Sequence, residues 1–186
     1  MTLAGIGPNT QGRENPSGDT YPFLAGIRLG VRPATGPVGE KRGESGNMLK
    51  TYAGSCHCGK VRFEADIDLG QGTVKCNCST CTKTRSWIGL VGPQHYRLLS
   101  GADAQTEYQW IPPGQERSTI EYHFCATCGT RMPARGDIPM LGGIVIAIPI
   151  AALDGVDPDE LAAAPVMYAD GRHDRFDRTP DDIRTM

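Results

Sequence analysis

The sequence predicts a mainly β protein of short sheets with little helix, tied together by metal rather than by a large apolar core. Three observations carry that prediction. Several short stretches alternate polar and apolar residues with the period of two that a half-buried strand requires. Gly and Pro punctuate the chain so often that long helices have little room. All seven cysteines fall into three clusters, and three thiols within six residues suit a metal better than a core. Aromatic residues make up 6% of the 186 and glycines number 24, a composition that buries little surface and gains from a metal staple.

Residues 1–47 hold ten Gly and five Pro, no cysteine and no sustained apolar period. Such a segment cannot bury enough surface to offset its chain entropy. It is expected to be a disordered extension, with Met48 the candidate start of one folded domain, residues 48–186. Lys60 to Ala65 alternates as a strand does, and so does Thr119 to Phe124, which runs straight into Cys125. Thr106 to Trp110 is the expected partner strand, ended by a turn at Pro112-Pro113-Gly114. Ile144 to Ile150 is a short β-branched run that reads as a buried strand with Pro149 near its end. One helix is expected. Asp157 caps it, Pro158 takes the first helical position, Glu160 the third, and it runs through Leu161 to Ala164 before Pro165 stops it.

Formal charge is −2 and the pI is near 6.1, with no basic stripe, so nucleic acid is not an expected partner. Residues 48–153 carry ten Lys and Arg against eight Asp and Glu; residues 154–186 carry four against nine. No apolar run approaches the roughly 18 residues of a membrane span, and the first residues lack a signal-peptide pattern. The expectation is a soluble cytoplasmic protein with no membrane partner, where clustered thiols hold metal rather than form disulfides. The odd count of seven agrees.

Zinc takes four tetrahedral ligands in a structural site, and three protein ligands with one open position in a catalytic one. Seven thiols divide as four plus three. Gly59 follows Cys58 and Gly129 follows Cys128; a glycine there lets the backbone turn sharply and aim its amides at sulfur. This favours Cys56, Cys58, Cys125 and Cys128 as a closed structural site. The competing arrangement, a zinc ribbon pairing Cys78 and Cys81 with Cys125 and Cys128, is also allowed by spacing. In the first division Cys76, Cys78 and Cys81 are left with one position empty. His57, His95, His123 or His173 could close it, and His123, on the polar face of its strand, is the histidine best placed near a pocket. Zinc held by three thiolates is a weak Lewis acid that suits soft ligands. The chemistry it favours is capture of an external thiol as thiolate, for attack on an electrophilic carbonyl.

Gly54-Ser55-Cys56-His57-Cys58-Gly59, the Cys76 to Cys81 cluster and Phe124-Cys125-Ala126-Thr127-Cys128-Gly129 together resemble the glutathione-dependent formaldehyde-activating enzyme family, which shares its domain with centromere protein V. Asp157 to Leu161, Asp170-Gly171-Arg172-His173-Asp174 and Pro180 look like the tail of many bacterial members. The resemblance implies an Mss4-like β-tent with a structural zinc on Cys56, Cys58, Cys125 and Cys128. It also implies a second, weaker zinc on Cys76, Cys78 and Cys81, which makes two zinc ions per chain. The implied activity is that of a carbon–sulfur lyase run in reverse, condensing the cosubstrate glutathione with formaldehyde. A small-molecule thiol and an aldehyde are then the partners. Glutathione carries two carboxylates, so Lys83, Arg85, Arg131 and Arg135 become candidate contacts, alongside His123. Arg172 and His173 are candidates to close over the pocket. The alternative is a non-catalytic, zinc-stapled binding module; a near-neutral domain without a basic arm argues against chromatin or microtubules as its target.

Overall fold

A computed structural model describes residues 49–186, so the expectations for residues 1–47 and Met48 lie outside the described residues. Ten strands and two short helices follow in chain order: β1 (Lys50–Ser55), β2 (Arg62–Ile67), β3 (Thr73–Cys76), α1 (Ser79–Thr84), β4 (Trp87–Val91), β5 (Tyr96–Ser100), β6 (Gln105–Gln109), β7 (Ile120–Cys125), β8 (Arg131–Ile138), β9 (Gly143–Pro149), α2 (Pro158–Ala163) and β10 (Val166–Ala169). The fold is mainly β, as the sequence predicts. One sheet has the order β1-β2-β5, the other β10-β3-β4-β9-β8-β7-β6.

Local chemistry explains where the strands begin and end. The expected Lys60 to Ala65 strand starts two residues late, at Arg62. Val61 is spent closing a tight turn: its carbonyl accepts from Cys56 N at 3.0 Å, and its own N–H reaches Cys56 Sγ at 3.3 Å. The β6 and β7 strands pair antiparallel, with His123 opposite Glu107. In β9 the ladder stops at Pro149, and Ile150 opens a 3-10 turn instead. Helix α2 forms where Asp157 Oδ1 accepts from Asp159 N at 2.8 Å. Glu160 then takes hydrogen bonds from Lys50 Nζ at 2.8 Å and Tyr52 Oη at 2.7 Å, which fasten the helix to β1.

One buried cluster joins the two sheets. Phe63, Ala65 and Ile67 from β2 meet Met132 of β8 and Ile146 and Ile148 of β9, with Phe63, Met132 and Ile148 fully buried. Side chains of this size stabilise a fold by about 1.5–3 kcal/mol each when buried. Two features of the large sheet position the site. The β3 strand ends on Cys76, and β10 lies beside it in parallel, setting Ala169 opposite Cys76. Residues nearly a hundred positions away in sequence therefore arrive at the first thiol of the central cluster. No helix among the described residues is long and apolar enough to cross a membrane.

Candidate functional site

The outer cysteines sit on two turns of the same build. Cys56 follows β1 and Cys125 ends β7. Gly59 N donates to Cys56 O at 2.9 Å and Gly129 N to Cys125 O at 2.8 Å. Gly59 has φ +73° and Gly129 φ +72°, the left-handed region that a side chain would make costly. The two turns bring the sulfurs of Cys56, Cys58, Cys125 and Cys128 within 4.8 Å of one another. Cys56 and Cys58 Sγ are 3.5 Å apart, and Cys58 and Cys125 Sγ 3.7 Å. A disulfide would need about 2.05 Å, whereas four thiolates around zinc with bonds of about 2.3 Å have edges near 3.8 Å. The separations and the all-sulfur donor set therefore fit a tetrahedral soft metal. Hydrogen bonds to the hydroxyl and amide of Thr130 help to hold the Cys128 thiol at about 5, so it is readily a thiolate.

The remaining sulfurs, on Cys76, Cys78 and Cys81, form their own group, again within 4.8 Å. The ribbon pairing of Cys78 and Cys81 with Cys125 and Cys128 is not how the sulfurs are grouped. Helix α1 makes the arrangement. Cys78 is its N-cap, with Sγ accepting the Cys81 N–H at 3.5 Å; Cys78 N reaches back to Cys76 Sγ at 3.4 Å. The helix ends at Arg85 in the left-handed region, φ +49°. Hydrogen bonds from the Cys76 and Cys81 thiols, then from the amides of Cys81 and Thr80, pull Cys78 well down, while hydrogen bonds with Cys78 and then Cys81, together with burial, push Cys76 up.

The spacer residue Asn77 is as constrained as the thiols. Its Nδ2 donates to Asp170 Oδ1 at 2.7 Å, its Oδ1 accepts from Arg172 N at 2.8 Å, and its carbonyl accepts from Thr82 Oγ1 at 3.0 Å. Asp170 is 1% exposed. It also takes bonds from His173 Nδ1 at 2.9 Å and Arg175 Nε at 2.9 Å. Asn77 first, then His173 and Arg175, hold its carboxyl down at about 2. This anchor presses Gly171 onto the cluster, where an added Cβ would lie 2.6 Å from Cys76 Sγ and 3.2 Å from Cys78 Cβ.

A cavity of about 160 Å³ opens beside two of the three thiols, Cys76 and Cys81, and is lined also by Arg85, Ser86 and Arg172. Ser86 Oγ is buried without a partner. Of the candidate substrate contacts, Arg85 lines this cavity and Arg172 joins it, but Lys83 and His123 do not. Lys83 stands exposed on the last turn of α1. His123 Nδ1 bonds the Pro133 carbonyl at 3.0 Å, and its Nε2 lies 3.9 Å from Glu107. The strand neighbour Tyr122 is the residue of β7 that meets the cluster. Burial, then the charges of Cys81 and Cys78, push its hydroxyl up to about 12. Arg131 lies over the Tyr122 ring at 5.1 Å and donates to Thr84 Oγ1 at 2.6 Å. Arg135 is turned away to Glu121 at 3.5 Å, and His173 is held by Asp170. His57 is exposed, and His95 Nδ1 lies 3.9 Å from Asp66.

Sequence reasoning missed α1, Asn77, Gly171 and Tyr122. The helix had a legible cap only if a cysteine sulfur is counted as an acceptor. Nothing local marks the others, since each acts across the sheet.

Comparison with known proteins adds a family to this geometry. The profile described as "Glutathione-dependent formaldehyde-activating enzyme" matches residues 51–170. A Halomonas elongata protein provisionally named a glutathione-dependent formaldehyde-activating enzyme is 35% identical over 83 residues, which cover 42% of this chain and 52% of that protein. The chain thus spans about half the length of this relative. A crystal structure of a Rhodobacter sphaeroides protein superposes with a TM-score of 0.50 at 26% identity, covering 62% of this chain and 99% of the other.

Proposed function

Since the chain belongs to the glutathione-dependent formaldehyde-activating enzyme family, we propose that it is a zinc-dependent enzyme that joins a thiol to a small aldehyde, with glutathione and formaldehyde as the pair. The observation that carries this reading is the difference between the two sulfur groups. Four sulfurs form one group, whereas two of the three in the other, Cys76 and Cys81, line a cavity shared with two arginines and an unpartnered serine. Cys56, Cys58, Cys125 and Cys128 would hold the structural zinc, and Cys76, Cys78 and Cys81 the reactive one. A zinc bound by the three thiolates would favour the thiolate form of an incoming thiol near neutral pH.

The chain's own residues do the rest. Arg85 and Arg172 orient the thiol by its carboxylates from the cavity wall. Arg131 offsets part of the negative charge that three thiolates concentrate beside Tyr122. In the reaction the thiol sulfur forms a bond to the carbonyl carbon, the carbonyl π bond breaks, and the proton lost by sulfur finishes on the new hydroxyl. Ser86 Oγ, with no protein partner, is the group best able to donate to that oxygen. Holding two reactants in one orientation supplies most of the acceleration.

The test is adduct formation from glutathione and formaldehyde followed against the spontaneous rate. Zinc-loaded protein should accelerate it, and Ser86→Ala should slow it several-fold without loss of metal. No acceleration by the loaded protein would remove the reaction and favour the non-catalytic binding module.

A further inference from the structure

Residues 181–186 lie past the stretch matched by the family profile, yet they wall the cavity. Asp182, Thr185 and Met186 all line it, facing the same space as Arg85 and Arg172. Their attachment is slight. Arg85 Nη1 donates to the Thr185 carbonyl, and Lys75 Nζ donates to the Met186 carbonyl at 3.3 Å. Met186 N bonds Ile183 O within the segment itself at 3.1 Å, and Asp182 pairs locally with Arg184 at 2.7 Å. Residues 181–185 are exposed and belong to no strand or helix. Just upstream the chain is firmly held, because Arg178 O accepts from the N–H of buried Asp170 at 3.2 Å. Thr179 and Pro180 therefore separate an anchored loop from a loosely tied segment.

Size makes this arrangement consequential. A cavity of about 160 Å³ is close to one of about 150 Å³ that accepts benzene. Small-molecule sites commonly measure about 300–1,000 Å³. A tripeptide thiol of about 20 non-hydrogen atoms needs a site in that larger range. A two-carbon thiol fits the cavity as it stands. The segment also supplies an acceptor of the kind that a carboxylate-bearing thiol would bring, since the Thr185 carbonyl takes a hydrogen bond from Arg85 in the wall of the cavity.

We propose that residues 181–186 are a displaceable strap, and that a carboxylate-bearing thiol opens the site by taking Arg85 from the Thr185 carbonyl. The proposal rests on the reading of the cavity as a thiol site. The closed strap admits small neutral thiols and is displaced only by thiols with a carboxylate to offer Arg85 and Arg172, so the segment acts as a selectivity filter. Lys75, which touches the strap and does not line the cavity, holds it shut without contacting the substrate.

The experiment uses the full-length, zinc-loaded protein with glutathione, its diethyl ester and 2-mercaptoethanol. Amide hydrogen exchange reports the strap and calorimetry reports affinity. Glutathione should speed exchange across residues 182–186, and 2-mercaptoethanol should bind without doing so. The diester should bind at least about tenfold more weakly than glutathione. Lys75→Gln removes one tie and raises the open fraction, so glutathione should bind about three- to tenfold tighter while 2-mercaptoethanol binds unchanged. Unchanged exchange with glutathione bound, or an unchanged or weaker glutathione affinity in Lys75→Gln while 2-mercaptoethanol still binds, would overturn the strap alone. Failure of every thiol to bind would overturn the thiol-site reading and the strap with it.

Discussion

The Asn77 side-chain amide lies 2.7 Å from the buried carboxylate of Asp170, across 93 positions of sequence. The residue between two thiols of the central cluster is therefore also the peg that holds the 170–175 loop against that cluster. Replacing it should show both roles. Asn77→Ala leaves Asp170 short of a partner and frees the Arg172 amide, which costs stability because a buried carboxylate loses a charge-assisted bond. Thermal melting should fall by several degrees, and metal bound per chain should drop from two towards one. Unchanged melting and metal content would show that the contact is incidental.

Gly171 gives a sharper probe, because its φ is not in the left-handed region and a substitution acts through space alone. In Gly171→Ala the new methyl must displace Cys76 Sγ from 2.6 Å. Chelator competition should show metal released from the Cys76, Cys78 and Cys81 group at least about tenfold more readily, with melting of the sheets little changed, as expected if that group is the proposed reactive site and not the structural one. Equal release from the variant and the parent would contradict the packing of Gly171 on the cluster.

The two sulfur groups should differ in what they support. Metal at a four-thiolate site can contribute roughly 10–16 kcal/mol of apparent free energy, as much as the whole stability of a domain at about 5–15 kcal/mol. Cys128→Ser should therefore fail to give folded protein by circular dichroism. Cys78→Ser should fold and carry one zinc. If both variants unfold alike, the division into a structural and a reactive site is wrong.

Alkaline pH should weaken the fold through its buried phenols. Burial pushes Tyr96, packed 5.8 Å from the Phe63 ring, up to about 12. Its unfolded value is about 10. The folded state thus binds the proton more tightly, and the sign follows: stability from this group is fully present below pH 10 and is lost as pH rises through 12. Denaturant midpoints measured from pH 9 to about 12 should fall for the parent and fall less for Tyr96→Phe. Identical slopes would place the phenol in water.

Much of this organisation was legible in the sequence because it is local. The mainly β class follows from the period-two stretches that became β2 and β7 and the β-branched apolar run that became β9, and the α2 cap is spelled out by Asp157 and Pro158. The glycines after Cys58 and Cys128 mark the two sharp turns for the same reason, since a positive φ is a property of one residue. What escaped is non-local or unconventional. Helix α1 has a thiol where a Ser, Thr, Asp or Asn cap would be recognised. Alternation alone favoured His123 for the pocket, but the β7–β8 pairing is irregular between Glu121 and His123, and Tyr122 is the neighbour that faces the thiols. The roles of Asn77, Asp170 and Gly171 exist only because β10 returns in parallel to β3. No pattern within either segment announces that pairing.

On the proposed division, one sulfur group is complete and the other accepts a thiol from outside. Cadmium-113 NMR of cadmium-loaded protein tests it directly, since the resonance reports the number of sulfurs around each ion. Two resonances are expected, of which one is unmoved by glutathione and the other shifts to the position of a fourth sulfur, with the shifting resonance absent in Cys78→Ser. Two resonances that both ignore glutathione at saturating concentration would contradict it.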